Sequence, residues 1–216
     1  MELKKSNDGS HTLFVPELNE HYHSIHGAYN ESQHVFIEAG LNEIQKNEFK
    51  IFEVGFGTGL NAYLTLNWTK NKHCSIQYHS IEKFPVPLEI VEQLNYPELV
   101  DGDSADFRKL HDCEWNQQQK ITPQFFLNKI HDDLTTYRHQ HKYDLIFFDA
   151  FAPEKQEEMW HENIFTQLFE SLNEGGLLTT YCAKGIIKRR LKSVGFQVDS
   201  IPGPPGKREM IRAIKP

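Results

Sequence analysis

Runs of apolar residues of three kinds alternate along this chain: unbroken, alternating with polar positions, and helically spaced. Ile51-Phe-Glu-Val54 is a short apolar run holding a single acid, glycines follow it, and Leu60 to Leu66 behind them has helical spacing. A strand, a tight turn and a helix N-terminus are expected there. Ser75 to Glu82 reads as a second strand ending in an acid, and Lys83-Phe-Pro-Val-Pro87 then turns into a helix around Leu88 to Leu94. Phe125 to Asp133 is a third strand followed by acids, with a helix expected over Leu134 to His139. Leu145 to Phe148 is continuously apolar, as a central parallel strand covered on both faces should be. Glu157 to Leu172 has the pattern of an amphipathic helix stopped by Gly175-Gly176, and Leu177 to Cys182 is the next strand. Lys184 to Val194 is a helix with Ile187, Leu191 and Val194 facing inward, ended by Gly195. Phe196 to Ile201 and Met210 to Ile214 pair directly across the turn Pro202-Gly-Pro-Pro-Gly206. Upstream, Asp8-Gly9 signals a turn and Ser32 to Ile44 a helix with Val35 and Phe36 inward. Residues 96–124 show no pattern and read as an irregular insertion.

Seven strands, the first five separated by helical or irregular connections, predict an α/β fold of one domain over 1–216, in which 1–46 is an N-terminal extension contributing to the pocket. Its focus is Glu53-Val-Gly-Phe-Gly-Thr-Gly-Leu-Asn61. Glycines there let a ligand lie against the backbone and allow a turn with positive φ. The spacing G-x-G-x-G is not the dinucleotide G-x-G-x-x-G, and Leu60-Asn61 is not the Lys-Ser/Thr of a Walker loop. An acid at 53 disfavours phosphate but suits an ammonium group. The pattern resembles the first motif of S-adenosylmethionine-dependent methyltransferases, with Glu53, Gly55, Gly57, Gly59 and Asn61 on the cofactor. Glu82, at the end of the second strand, sits where a carboxylate accepts ribose hydroxyls. Asp132 or Asp133 would meet the adenine amino group, helix capping being the equal alternative. Asp149 ends a buried strand before Ala-Phe-Ala-Pro153; a carboxylate there must be paired or face a cleft, which marks it as the candidate catalytic group.

Composition narrows the classes. Hydrophobic content of 38% is ordinary and no run is long enough to span a bilayer, so a cytoplasmic protein without membrane contact is expected. Cys74, Cys113 and Cys182 lie far apart with no C-x-x-C pair, as reduced thiols do. His21, His23 and His26 invite a metal, but no second ligand-rich stretch completes a site, and none is expected; these histidines and Tyr22 are expected to line a pocket or cap local backbone. Net charge is −7, unevenly spread: from Lys184 onward nine Lys or Arg face two Asp or Glu, leaving −14 on the rest. A basic face on an acidic body is therefore available to a polyanion.

Taken together, Asp8-Gly-Ser, Tyr22-His-Ser, Gly27-Ala, Glu31-Ser, the glycine loop, Ile81-Glu-Lys-Phe-Pro85, Phe148-Asp-Ala-Phe-Ala-Pro153, Met159-Trp160 and Gly206-Lys-Arg-Glu-Met210 resemble the MnmC-type methyltransferase domain family. The resemblance implies a Rossmann-like class I fold with a mostly parallel seven-stranded sheet and an antiparallel last strand. It implies S-adenosyl-L-methionine-dependent N-methylation of the aminomethyl group of a modified wobble uridine in tRNA, in a stand-alone form without flavin that relies on a separate enzyme for its amine. Asp149 would accept a hydrogen bond from that amine. Tyr22, Glu31 and Phe151 would line the acceptor side, and Lys188, Arg189, Arg190, Lys207 and Arg208 would meet the tRNA. An aminopropyltransferase or small-amine N-methyltransferase on the same fold is the alternative.

Overall fold

The computed structural model describes residues 1–70 and 72–216. Among them, strands β1 (Glu2–Lys5), β2 (His11–Val15) and β3 (Glu20–His21) form a small antiparallel sheet at the N-terminus. The Asp8-Gly9 turn joins the first two, with Gly9 at φ +89° and the Asp8 carboxylate accepting from the Ser10 amide and the Ser6 and Ser10 hydroxyls.

The central sheet comprises β4 (Glu48–Val54), β5 (Ser75–Glu82), β6 (Gln118–Thr122), β7 (Phe125–His131), β8 (Tyr143–Phe148), β9 (Leu172–Thr180), β10 (Gln197–Pro202) and β11 (Glu209–Ile214). Its order is β10-β11-β9-β8-β4-β5-β7-β6. The five from β9 to β7 pair in parallel, and β11 runs antiparallel to both β9 and β10. This is the expected α/β architecture with its antiparallel last strand. Both faces are buried: Ile51 and Phe147 join the core on one side, Phe52, Ile146 and Phe148 that on the other. The unbroken apolar run Leu145–Phe148 in β8, and that of β4 interrupted only by Glu53 from Ile51 to Val54, are what two-sided coverage demands.

The helices are α1 (Ala28–Ser32), α2 (Leu60–Thr69), α3 (Leu88–Val91), α4 (Tyr96–Leu99), α5 (Ser104–Asp112), α6 (Glu162–Ser171) and α7 (Gly185–Ser193). Four expectations need correction. The 96–124 stretch is ordered: it supplies α4, α5 capped by the Asp103 carboxylate on the Ala105 amide at 2.8 Å, and β6, an eighth strand antiparallel to β7. The helix expected over Leu134 to His139 is a turn, because the Asp133 carboxylate takes the Thr135 amide and hydroxyl and the chain beyond it is drawn out, with the Tyr137 and His139 rings against Phe52. The 157–172 helix divides into a 3-10 turn, Glu157–Trp160, and α6; Gly175-Gly176 lie inside β9 rather than ending the helix. The Ser32–Ile44 helix starts earlier, at Ala28, continues as a π-helix through Glu38, and gives way to a 3-10 turn at Leu41–Glu43.

Candidate active site

The C-terminal ends of β4, β5, β7 and β8 open on a cavity of about 330 Å³ whose lining includes Gly55, Gly57, Glu82, Asp132, Asp149 and Phe84. Parallel sheets place ligands at this edge, and the volume is that of a small-molecule site. The glycine loop fits against its surroundings only as glycine. Gly55 has φ +89° and a Cβ there would stand 2.9 Å from the Asp149 carbonyl oxygen. At Gly57, φ +49°, a Cβ would press on the Tyr22 ring at 3.0 Å. The loop is thus wedged between β8 and the N-terminal segment, with its backbone bare toward the cavity.

Glu82 reaches under that loop: its two carboxylate oxygens accept the amides of Gly57 at 3.0 Å and Phe84 at 2.8 Å. Burial nevertheless raises its pKa, the amide hydrogen bonds opposing the shift. Each oxygen keeps a further lone pair for a ligand hydroxyl. Of the two acids after β7, Asp133 is consumed by the turn and by Lys83, 2.7 Å away, and that lysine holds its carboxyl below the usual range. Asp132 is exposed, accepts only the Asp133 amide, and lines the cavity. Of these two acids, Asp133 is held in the turn, with no helix after it to cap, and Asp132 faces the cavity.

Glu53 is fully buried and lies outside the cavity lining. Its carboxyl accepts the Ser80 hydroxyl at 2.5 Å, and burial pushes its pKa up to about 8. The carboxyl is thus held within the sheet, bonded to β5, and is not part of the cavity lining. Asn61, also buried, turns toward Asp149 and donates to its Oδ2 at 2.9 Å. Asp149 lines the cavity; burial raises its pKa to about 7, the Asn61 bond and Lys207 opposing, Glu31 adding to the rise.

The segment after Asp149 is clamped. Gln156 accepts the Phe151 amide at 3.1 Å, the Trp160 indole donates to the Phe151 carbonyl at 2.8 Å, and the Tyr181 hydroxyl donates to the Ala150 carbonyl at 2.9 Å. Ala150 and Phe151, with Tyr22 and His23, wall off a second cavity of about 320 Å³ that also takes in Glu31, Tyr181 and Lys207. Phe151 meets Tyr22 edge to face at 5.0 Å. Lys207 lies 4.0 Å above the Tyr181 ring and pairs with Glu31, whose other oxygen accepts the Ser24 amide. Tyr22, Glu31 and Phe151 therefore come together on this cavity, joined by Lys207.

The remaining basic residues do not. Lys188 pairs with Glu209 at 2.6 Å and Arg190 donates to the Trp160 carbonyl at 2.9 Å, so both are tied into the structure, while Arg189 and Arg208 are exposed. Sequence reasoning placed His23 among residues lining a pocket or capping backbone, without a chemical role; it did not single out Tyr181, nor Phe84 beyond its place in the Ile81–Pro85 stretch, and both line the cavities.

A family model described as S-adenosyl-L-methionine-dependent methyltransferase matches residues 106–216, about half of the chain. The chain belongs to this methyltransferase family. Its relatives include the bifunctional tRNA 5-methylaminomethyl-2-thiouridine biosynthesis protein MnmC of Pseudoalteromonas atlantica, 30% identical over 94% of this chain and 32% of that protein. The MnmC protein of Marinomonas sp. is 29% identical over 90% of this chain and 31% of its own length. The methyltransferase thus spans about a third of the curated relatives it matches, and the MnmC-type resemblance of its motifs is borne out. In structure it is similar to MnmC2 from Aquifex aeolicus, with TM-score 0.81 and 24% identity over 98% of this chain and 69% of that one. The spermidine synthase of Thermotoga maritima shares the fold at TM-score 0.58 and 13% identity, over all of this chain and 72% of that one.

Proposed function

We propose that this methyltransferase N-methylates the aminomethyl group of 5-aminomethyl(-2-thio)uridine at the wobble position of tRNA. The observation that carries the reading is the second cavity, which adjoins the cofactor cavity beside Asp149 and is walled by aromatic rings and an acid. Proteins that read single-stranded RNA splay a base out and stack it on aromatic side chains, and Tyr22, Phe151 and Tyr181 offer such faces. The MnmC relatives are named for the biosynthesis of 5-methylaminomethyl-2-thiouridine in tRNA, which is consistent with this reading.

The first cavity fits S-adenosyl-L-methionine: bare glycine backbone at Gly55 and Gly57, Glu82 for the ribose hydroxyls, Asp132 for the adenine amino group, and Phe84 and Met159 as apolar walls. When bound it supplies a methyl group made electrophilic by a sulfonium. Asp149 takes a hydrogen bond from the acceptor amine and holds it at the boundary of the two cavities. With its pKa raised to about 7 by burial, its carboxylate is more basic than an ordinary one, and a nearby cation favours that charged form. Orientation of the amine by fixed groups supplies most of the rate. On the outer face, Arg189 and Arg208 are the groups left for phosphate.

The test is methyl transfer from labelled S-adenosylmethionine to two tRNA pools, one carrying the aminomethyl wobble uridine and one from cells unable to make it, followed by nucleoside analysis. Label only in the first pool, as the methylaminomethyl nucleoside, is the expected result. Label in neither pool, with turnover on free polyamines, would move the assignment to a small-amine acceptor.

A further inference from the structure

A reactive amine poses a geometric problem that Asp149 alone does not solve. A neutral primary amine has two N–H bonds and one lone pair, and it reacts only when that lone pair points at the methyl carbon. One fixed acceptor leaves the nitrogen free to turn about that single hydrogen bond. Two fixed acceptors aim the lone pair by elimination. The second cannot be another carboxylate without cost, since each added negative charge favours the ammonium form, which has no lone pair.

The partition between the two cavities holds a group suited to this role. His23 lines both cavities and is 8% exposed. Its backbone is pinned to Thr12, with the His23 amide donating to the Thr12 hydroxyl at 3.0 Å and that hydroxyl donating to the His23 carbonyl at 3.3 Å. Its Nδ1 is buried with no partner among the described residues. A buried Nδ1 left without a partner costs stability that a ligand hydrogen bond would recover. Asp149, in turn, spends Oδ2 on Asn61. The two groups share their surroundings, since Glu31 and Lys207 act electrostatically on both.

We propose that His23 is the second hydrogen-bond acceptor for the acceptor amine, acting with Asp149 so that the amine's lone pair is the one direction left open toward the methyl group. This rests on the reading of the chain as an amine N-methyltransferase. The imidazole must stay neutral to accept. Burial lowers its pKa to about 4, Lys207 lowering it further while Glu31 and Asp8 oppose; His21, Glu20, Tyr22 and Tyr181 are the other titratable groups on the second cavity. In the step itself, the amine nitrogen bonds to the methyl carbon as the carbon–sulfur bond breaks, and the sulfur keeps the electron pair as a neutral sulfide. The proton that the ammonium form carried in excess goes to water before attack.

The experiment compares His23→Gln, which keeps an acceptor, with His23→Phe, which keeps a ring of similar bulk. Two readouts are used: kcat and KM on aminomethyl-tRNA, and cofactor-free affinity for aminomethyl-tRNA against tRNA lacking the group. His23→Phe is expected to lose about 10- to 100-fold in kcat, as one lost hydrogen bond to the reacting group implies, and to lose the affinity difference between the two RNAs. His23→Gln should stay within about fivefold of wild type in kcat on the same scale and keep the affinity difference. Equal loss in both variants, or better function in His23→Phe than in His23→Gln, overturns the proposal and makes His23 a packing residue. A wild-type protein that methylates no aminomethyl-tRNA refutes the underlying reading instead, and the proposal with it.

Discussion

Removing the Asn61 amide tests whether the ionisation of Asp149 governs activity. Asn61 Nδ2 donates to Asp149 Oδ2 at 2.9 Å, and this bond holds down a pKa that burial has pushed up to about 7. A hydrogen bond to a charged group contributes roughly 1.5–3 kcal/mol, and each pKa unit corresponds to about 1.4 kcal/mol. Asn61→Ala should therefore raise the Asp149 pKa by about 1–2 units. The carboxylate is the working form, so the acid limb of the rate profile moves to higher pH. At pH 7 the wild-type group is about half ionised and the variant's roughly 1–10%, a loss of about 5- to 50-fold. Near pH 9.5 most of the loss should vanish. The assay is kcat/KM from pH 6 to 9.5, which reports groups of the free enzyme; in the ratio of variant to wild type, titration of the acceptor amine cancels. Cofactor affinity at pH 9.5 controls for damage to the loop. A ratio independent of pH would refute the reasoning, because Asn61 would then act by position and not through the charge of Asp149.

Other perturbations have equally definite signs. Glu53, with its pKa raised to about 8, binds its proton more tightly folded than unfolded, so its contribution to stability falls as pH rises from about 4.5 to 8; Glu53→Gln should flatten that dependence and be more stable than wild type at pH 8 by a few kcal/mol, seen in urea midpoints at pH 5.5 and 8. Gly55→Ala should weaken cofactor binding by about 5- to 150-fold, the equivalent of ~1–3 kcal/mol of strain, and more than Gly57→Ala does, because the Gly55 Cβ would meet the Asp149 carbonyl whereas the Gly57 Cβ would meet a Tyr22 ring able to rotate; calorimetry of cofactor binding ranks the two. Arg189→Ala and Arg208→Ala should each cut the slope of log affinity for tRNA against log salt by roughly one, while Lys188→Ala, whose amine is held by Glu209, should leave it unchanged.

The fold was legible wherever burial leaves a periodic trace. β8 shows its two-sided coverage as the unbroken run Leu145–Phe148 and β4 as Ile51–Val54 interrupted only by Glu53, while α7 shows one buried face through Ile187 and Leu191. The eighth strand was not legible because β6, Gln118-Gln-Lys-Ile-Thr122, is a sheet edge with little to bury, only Ile121 being enclosed. The false helix after β7 shows a different limit. Leu134 to His139 has a passable helical composition, but Asp133 spends its carboxylate on a tight turn and the Tyr137 and His139 rings pack across Phe52, a tertiary preference that no local pattern records. For His23 the sequence says only that it lines a pocket or caps backbone, since its place on a partition between two cavities depends on where β8 ends.

Three acids near the ends of three strands illustrate how register decides what residue type cannot. In the parallel pairing, Val54 is level with Ile81 on β5 and with Phe148 on β8. Glu82 and Asp149 each come one residue after those partners, so they flank Gly55 on either side at the rim of the sheet. Glu53 comes one residue before Val54, level with Ser80 and Phe147, inside the sheet rather than at its edge. That single step explains why Ser80 meets the Glu53 carboxyl, and why burial pushes its pKa up to about 8. Glu82 gains two loop amides at the rim and stays beside the cavity, while Asp149, given only one donor, is left with an oxygen to offer an amine. The acid that precedes the glycines in sequence is thus enclosed within the sheet, and the two acids that arrive from other strands are the ones that line the cavity.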